Sequence, residues 1–296
     1  MTGFDLRGFF NDGAARVNDA LSRLLPPESA YPQTVHRAMR YSLFAGGKRL
    51  RPLLVLAAAG AFGGAEEEAM NTACAFECIH TYSLIHDDLP AMDDDDFRRG
   101  RPACHRAFGE AAAVLAGDAL LTCAFDIIAR TPTDDKALIV GVIREVARAA
   151  GSEGMIGGQM VDIESEGGEV TLPLVEYIHI HKTGELIRAA VRCGAMFGRA
   201  DDRGLEAVTD YGEAVGLAFQ IADDVLDVEG DGELMGKTAG ADVKRGKATY
   251  PALMGVEQSR RRAEELVERA LAAIEGLDHR AEPLRAMARY MVERSR

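Results

Sequence analysis

The chain has 296 residues, of which 47% are hydrophobic and 27% charged, the composition of a soluble globular protein with an extensive core. Its formal net charge of −13 excludes nucleic acids and anionic membrane surfaces as general partners, because both would be repelled. An anionic substrate would need local cations or metal ions. The five cysteines form no regular framework, which predicts reduced thiols and a cytoplasmic location.

Helical periodicity runs through almost the whole chain, punctuated by glycines and prolines. Alanine and leucine dominate the long segments and favour helix over strand. We expect no signal peptide and no apolar stretch of the ~20 residues that a membrane-spanning helix needs. The predicted helices, in chain order, are 5–25, 32–46, 50–62, 66–89, 107–130, 134–150, 172–197, 203–229, 248–276 and 280–294.

The first acidic cluster lies at the end of a predicted helix. His80, Ser83 and Asp87 are three and four residues apart, so they share one helix face. Asp93 begins a run of four aspartates in the turn that follows. The remaining three, Asp94–Asp96, are expected to form a solvated acidic turn without a metal role.

The second acidic cluster lies on the predicted helix 203–229. Gly216, Gln220, Asp223 and Asp227 are spaced four, three and four residues apart, which places them in one polar stripe. Both clusters put carboxylates in the last turn of a helix, where the helix dipole is negative, so a compensating cation is expected. Hard oxygen ligands suit Mg²⁺, which also bridges to phosphate oxygens.

Cations accompany both clusters. Lys48 and Arg51 are three residues apart and could converge on one anion, whereas Arg49 would point elsewhere. Arg98 and Arg99 follow the first cluster directly. Carboxylates and cations together suit a diphosphate held through Mg²⁺, and the apolar helix faces suit a greasy tail.

Residues 230–247 follow the second cluster and are rich in glycine, aspartate and lysine. Such a stretch is typical of an ordinary surface loop. It is also typical of a mobile lid, here carrying Lys237, Lys244 and Lys247. Its position directly after an aspartate cluster favours the lid.

With these residues assembled, the chain resembles the trans-isoprenyl diphosphate synthases, and among them the bacterial farnesyl diphosphate (geranyltranstransferase) type. The resemblance runs over most of the chain and is carried by GGKRLRP (46–52), ECIHTYSLIHDDLPAMDDDDFRRGRPACH (77–105), GEAAAVLAGDALL (109–121), GMIGGQMVDI (154–163), HKTGELIRAAV (181–191), FQIADDVLD (219–227) and GKTAGADVKRGKATYPAL (236–253). It implies an all-α fold, a single large helical bundle around a central cavity formed by one domain over 1–296, usually as a homodimer.

The resemblance also implies roles for individual residues. The implied Mg²⁺ ligands on the allylic diphosphate are Asp87, Asp88 and Asp93. Those of a further Mg²⁺ are Asp223, Asp224 and Asp227, with about three ions per active site. The implied isopentenyl diphosphate site contains Lys48, Arg51, His80 and Arg99. The implied allylic diphosphate side contains Arg98, Lys182, Thr183, Gln220, Lys237 and Lys247. The implied catalytic residues are Asp87, Asp88, Asp93, Lys182, Thr183, Gln220 and Asp223.

The implied reaction is ionisation, condensation and elimination, for which no side-chain nucleophile is needed. Tyr82 and Ser83 lie about one helical turn before Asp87, and a turn of about 5.4 Å is comparable to one isoprene unit. A bulky Tyr82 would therefore close the cavity and limit the product to the C15 farnesyl chain; a geranylgeranyl or other short-chain product is the alternative. Plain core packing of Tyr82 is the competing interpretation.

Two other classes of protein are alternatives to a prenyl diphosphate synthase. A terpene cyclase shares the first aspartate motif, but the second cluster here is aspartate-only and aromatic residues are just 6% of the chain. A non-catalytic synthase subunit or an acidic metal-binding helical module is also possible in principle. The complete acidic and cationic sets argue against it.

Overall fold

The computed structural model describes residues 4–229 and 249–293. Its first half contains α1 (Leu6–Leu24), α2 (Gln33–Leu43), α3 (Leu50–Ala61), α4 (Glu66–Asp87), β1 (Phe97–Arg98), β2 (Arg101–Pro102), α5 (Cys104–Phe108), α6 (Glu110–Ala129) and α7 (Lys136–Ala150). The second half contains α8 (Met155–Ser165), α9 (Leu172–Ile178), a π-helix (His179–Gly184), α10 (Glu185–Phe197), α11 (Asp202–Glu229), α12 (Tyr250–Met254), α13 (Val256–Ala273), a 3₁₀ turn (His279–Ala281) and α14 (Glu282–Glu293). The expected all-α class is confirmed.

Local sequence explains several helix boundaries. Asp5 caps α1 by accepting the backbone N–H of Gly8 at 2.9 Å, and Asp135 caps α7 by accepting that of Leu138 at 2.9 Å. The first turn of α4 is Glu66–Glu68, whose negative charge is favourable at a helix N-terminus. Helix α3 packs against both α4 and α10, and α10 packs in turn against α11. The buried side chains of these helices belong to one core.

The observed elements differ from the predicted ones in several places, among them the π-helix His179–Gly184 inside the predicted helix 172–197. The predicted helix 107–130 is divided at Gly109 and the predicted helix 248–276 at Gly255, because both glycines have positive φ (86° and 79°). The glycine-rich segment that forms α8 was not predicted to be helical. The short hairpin β1–β2 was not predicted either, because two-residue strands are too short to show an alternating pattern.

Glycines let the helices that carry polar motifs approach closely. A Cβ on Gly216 of α11 would lie 2.7 Å from the Cα of Gly184 in the π-helix, so this contact needs glycine at 216. A Cβ on Gly158 of α8 would lie 2.3 Å from the backbone nitrogen of Lys182. The π-helix is therefore held between α8 and α11 by backbone-to-backbone contacts.

Helix α6 corrects one expectation. By length and composition it is the one helix in residues 4–229 and 249–293 that could cross a membrane, whereas no such stretch was expected. It packs against α2 and α4, and Leu120, Ile127 and Ile128 are fully buried in the core. Its apolar composition therefore serves helix packing on at least one face, while Leu115 on another face is 59% exposed.

Candidate active site

The first acidic cluster is formed where α4 ends and the chain turns back. The backbone N–H of Asp93 donates to the carbonyl of Asp87 at 2.8 Å, which brings the two aspartates together. Burial raises the pKa of Asp87 to about 6; Lys182 opposes the shift, and the neighbouring charges of Asp93 and Asp88 add to it. A half-buried carboxylate among other carboxylates is poorly compensated by protein alone, so this group favours a bound cation.

Asp88 has a different environment from Asp87. It is 2% exposed, and Arg98 of β1 donates from Nε to its two carboxylate oxygens at 2.9 and 3.3 Å, with a further bond from Nη2. The same guanidinium lies 3.6 Å from Asp95. Asp88 therefore fastens the hairpin to the end of α4, and its role as a metal ligand stays a prediction.

A group of cations lies beside this cluster. Arg99, at φ 52°, donates to the carbonyl of Gly46 and lies against the backbone of Gly47. Burial lowers the pKa of Arg51 to about 10. The negative charge of Glu77 opposes this shift, and the positive charge of Arg99 adds to it. The Arg51 Nε has no hydrogen-bond partner within the described residues. Buried guanidinium groups with a donor to spare make an anion-binding site.

His80 lies among these arginines and is half-buried. Burial lowers its pKa well below the usual range, and the charges of Arg51, Arg99 and Arg98 lower it further. The imidazole is therefore neutral at physiological pH and can donate one hydrogen bond to an anion. Ser83, one turn later on the same face, donates its hydroxyl to the His80 carbonyl at 2.9 Å.

Lys48, which is expected to converge with Arg51 on one anion, contacts Tyr290 in this structure. Lys48 is exposed, donates to the hydroxyl of Tyr290, and its Nζ lies 5.0 Å from the centre of that ring. Arg49 points elsewhere, as expected. It is buried in an ion pair with Glu77 at 2.6 Å and donates to the Leu43 carbonyl at 2.8 Å.

The π-helix carries Lys182 and Thr183. Lys182 Nζ donates to Asp162 of α8 at 2.6 Å and also acts electrostatically on Asp87. Thr183 is buried. Asp162 and its neighbour Gln159, whose amide nitrogen and oxygen have no partner within the described part of the chain, were missed as site residues because α8 was not predicted. The turn-by-turn spacing of Gln159 and Asp162 was the available signal.

The second acidic cluster separates into two parts. Gln220 and Asp227 are half-buried and Asp223 is exposed, all on one face of α11. Asp224 is 6% exposed, and its Oδ2 accepts from His179 Nε2 at 2.9 Å and from the backbone N–H of Tyr250 at 2.9 Å. Asp224 thus belongs to a buried hydrogen-bonded cluster, and its role as a metal ligand stays a prediction as well.

Two predicted substrate residues, Lys237 and Lys247, and the suggested lid over 230–247 lie outside the described residues. Within the described part, Asp87 and Asp93 at one helix end and Asp223 and Asp227 at the other offer hard oxygen ligands of the kind that Mg²⁺ prefers. Burial raises the pKa of Asp87, so a bound cation would stabilise its ionised form, which fits a metal site.

Tyr82 lies beneath the first cluster. Its side chain is 5% exposed and packs edge-on against His86, with ring centres 5.7 Å apart. Burial raises the pKa of Tyr82 to about 12, and the charge of Asp87 adds to the shift, so the ring lies close to that carboxylate. The Tyr82 hydroxyl has no hydrogen-bond partner among residues 4–229 and 249–293.

A helical bundle that joins paired carboxylates to buried arginines above an apolar interior defines an enzyme of diphosphate chemistry. The family model "Polyprenyl synthetase" matches residues 32–282, and the chain belongs to this family. It is a short-chain trans-prenyl diphosphate synthase.

Known relatives cover almost the whole chain. The farnesyl diphosphate synthase of Escherichia coli (strain K12) is 48% identical, covering 95% of this chain and 96% of its own. The geranylgeranyl diphosphate synthase of Cyanophora paradoxa is 47% identical, covering 100% and 98%. The crystal structure of an FPP/GFPP synthase from Zymomonas mobilis superposes with a TM-score of 0.87 at 37% identity, covering 97% and 99%.

Proposed function

We propose that the protein is a farnesyl diphosphate synthase, which condenses isopentenyl diphosphate with dimethylallyl and then geranyl diphosphate to give (2E,6E)-farnesyl diphosphate and diphosphate. The observation that carries the product assignment is the buried ring of Tyr82 one turn beneath Asp87. A helical turn rises about 5.4 Å, so a ring at this depth limits the apolar tail to a short chain.

The chemistry follows from the groups around the site. The allylic carbon–oxygen bond breaks and diphosphate leaves with the electron pair. The isopentenyl double bond attacks the resulting cation, a carbon–carbon bond forms, and a proton is lost to the released diphosphate. Lys182, held by Asp162, and Arg98, held by Asp88, supply positive charge where the leaving group becomes negative.

Arg51, Arg99 and neutral His80 form the proposed isopentenyl diphosphate site. The unpartnered Arg51 Nε supports this assignment, since a diphosphate oxygen would satisfy it. Lys48 would have to leave Tyr290 to join them. Thr183 and Gln220 are proposed to face the developing cation, with apolar walls that exclude water.

Magnesium dependence is general in this family. We assign Asp87 and Asp93 to the ions on the allylic diphosphate, and Asp223 and Asp227 to a further ion, for about three in total. Bound Mg²⁺ would supply Lewis-acid stabilisation of the leaving diphosphate. The number of ions is part of the proposal.

We further propose that a single polyprenyl synthase domain over 1–296 acts in the cytoplasm as a homodimer. The free state of all five cysteines supports a reducing compartment, and the exposed apolar side chains on α6, such as Leu115, support a subunit contact.

Product sizing tests the proposal. Purified protein is incubated with Mg²⁺, isopentenyl diphosphate and each of three allylic starters, dimethylallyl, geranyl and farnesyl diphosphate. We expect farnesyl diphosphate from the first two and little extension of the third. Extension of farnesyl diphosphate would support the geranylgeranyl alternative suggested by the Cyanophora relative. Diphosphate release without isopentenyl diphosphate would indicate a cyclase, and no release with any pair would refute the enzyme.

A further inference from the structure

A second group of candidate metal ligands lies next to the diphosphate site, on the hairpin rather than on the long helices. Asp94 and Asp96 precede β1, and His105 is the second residue of α5, just after β2. One ligand atom from each of the three residues lies within 4.8 Å of the others. The backbone closes this arrangement, since the N–H of Ala103 donates to the carbonyl of Asp96 at 2.8 Å.

His105 distinguishes this group from an ordinary acidic turn. Its side chain is only 5% exposed, yet neither ring nitrogen has a hydrogen-bond partner anywhere in the described residues. Burying a polar group without a partner is unfavourable, so an orphaned imidazole calls for a ligand. A cation shared with the two nearby carboxylates would satisfy one ring nitrogen and neutralise both acids.

The two aspartates of this group are held by different contacts. Asp94 has a left-handed conformation (φ 49°), and its N–H donates to the Leu89 carbonyl at 3.1 Å. Asp96 forms an ion pair through Oδ1 with the exposed guanidinium of Arg106. Arg106 is therefore a cation already drawn to this negative potential, and it would compete with a metal ion.

The ligand set selects the class of ion. Mg²⁺ prefers oxygen-only ligands, whereas an imidazole with two carboxylates suits a borderline ion such as Zn²⁺, for which Mn²⁺ can serve as a paramagnetic probe. With metal–ligand distances of about 2.0–2.2 Å, ligand atoms around one ion lie about 3–4 Å apart. Small rotations of the two exposed aspartates would close the present separation, which is at most 4.8 Å.

We propose that Asp94, Asp96 and His105 bind a borderline divalent ion, separate from the magnesium ions on the substrate. The ion would join the chain before β1 to the chain after β2 and so clamp the base of the hairpin. That hairpin carries Arg98, which holds Asp88, and Arg99, which lies against the Gly46–Gly47 turn. Loading the clamp would fix both arginines before substrate arrives.

The test uses the full chain, stripped of metal with a chelator and titrated with Mn²⁺ in a large excess of Mg²⁺. Magnesium occupies oxygen-only sites, and pulsed electron paramagnetic resonance detects nitrogen coupled to bound Mn²⁺. We expect nitrogen coupling in the wild type, its loss in His105→Gln, and its retention in His279→Gln, a matched control at an exposed histidine. Arg106→Gln removes the competing cation and should tighten Mn²⁺ binding.

Asp94→Asn keeps the test decisive if His105→Gln fails to fold. Asparagine is tolerated in the left-handed region, so the backbone at position 94 is preserved while a ligand charge is lost. The Mn²⁺ dissociation constant should rise about tenfold or more. Absence of nitrogen coupling in the wild type, coupling that survives His105→Gln, or unchanged affinity in Asp94→Asn would each overturn the proposal.

Discussion

The substitution Tyr82→Ala tests both the depth of the cavity and the product assignment. The Tyr82 ring is 5% exposed and lies close to Asp87, so its removal opens space directly beneath the metal site. One turn further down α4 on the same face is Cys78, a small side chain that is also buried. With alanine at position 82, an apolar tail would gain about one helical turn, about 5.4 Å, comparable to one isoprene unit.

We therefore expect Tyr82→Ala to shift the main product to geranylgeranyl diphosphate or longer, measured by chromatography of the dephosphorylated alcohols. Truncating a buried aromatic ring also costs about 3–5 kcal/mol of folding free energy, so stability is measured in parallel by urea unfolding. Geranyl diphosphate should remain a substrate, because Asp87 and Asp93 are unchanged.

Tyr82→Phe is the matched control. It keeps the ring and removes a hydroxyl that has no hydrogen-bond partner within the described residues, so both product length and stability should stay close to those of the wild type. If folded Tyr82→Ala makes the wild-type product distribution, Tyr82 is ordinary core packing and the cavity ends elsewhere. A shift in Tyr82→Phe as large as in Tyr82→Ala would show that ring volume is not the cause.

Three further predictions follow from charges in the structure. Because burial raises the pKa of Asp87 to about 6, this carboxyl is protonated below that pH, and apparent Mg²⁺ affinity measured by activity titration should fall about tenfold per pH unit there. Glu77→Gln leaves a buried arginine unpaired and should cost about 3–5 kcal/mol in urea unfolding, whereas Glu257→Gln, at an exposed pair, should cost about 0.5 kcal/mol or less. Asp224→Asn should lower thermal stability with little change in Mg²⁺ affinity. Asp223→Asn should weaken Mg²⁺ binding with little change in thermal stability. Equal effects of the two substitutions would contradict the separate roles that we propose for these aspartates.

The long helices were predictable because their physics is local. The periodic apolar faces of α4 and α11 located them to within two residues of their predicted ends, and the spacing of Asp223 and Asp227 placed both on one face. Helix α8 was not predictable in this way. Its glycines disfavour helix in isolation, but Gly158 lets α8 lie directly against the backbone of Lys182, and this tertiary contact offsets the low propensity.

The partners of adjacent aspartates could not be read from the sequence either. Periodicity indicates the face on which a side chain lies, but not what meets it there. The partners of Asp224 are His179 and Tyr250, which are 45 and 26 residues away along the chain. The same holds for His105, whose approach to Asp94 depends on a hairpin too short to show a strand pattern.

Both acidic clusters contain an adjacent Asp-Asp pair, and in both pairs the two carboxylates have different environments. In each pair one carboxylate points inward and fastens a neighbouring element that carries predicted substrate-binding cations. Asp88 holds the hairpin through Arg98, and Asp224 holds the π-helix through His179. These two aspartates are 2% and 6% exposed.

The other member of each pair remains more accessible: Asp87 is half-buried and Asp223 is exposed. A metal ligand needs a deprotonated carboxylate with accessible oxygen atoms, whereas a positioning carboxylate needs fixed donors, so we assign the accessible member of each pair to the metal. The cost of crowding two carboxylates together is thus offset on one side by arginine or histidine. Asp87, whose pKa burial raises, is the carboxylate that gains most from a diphosphate-bound cation.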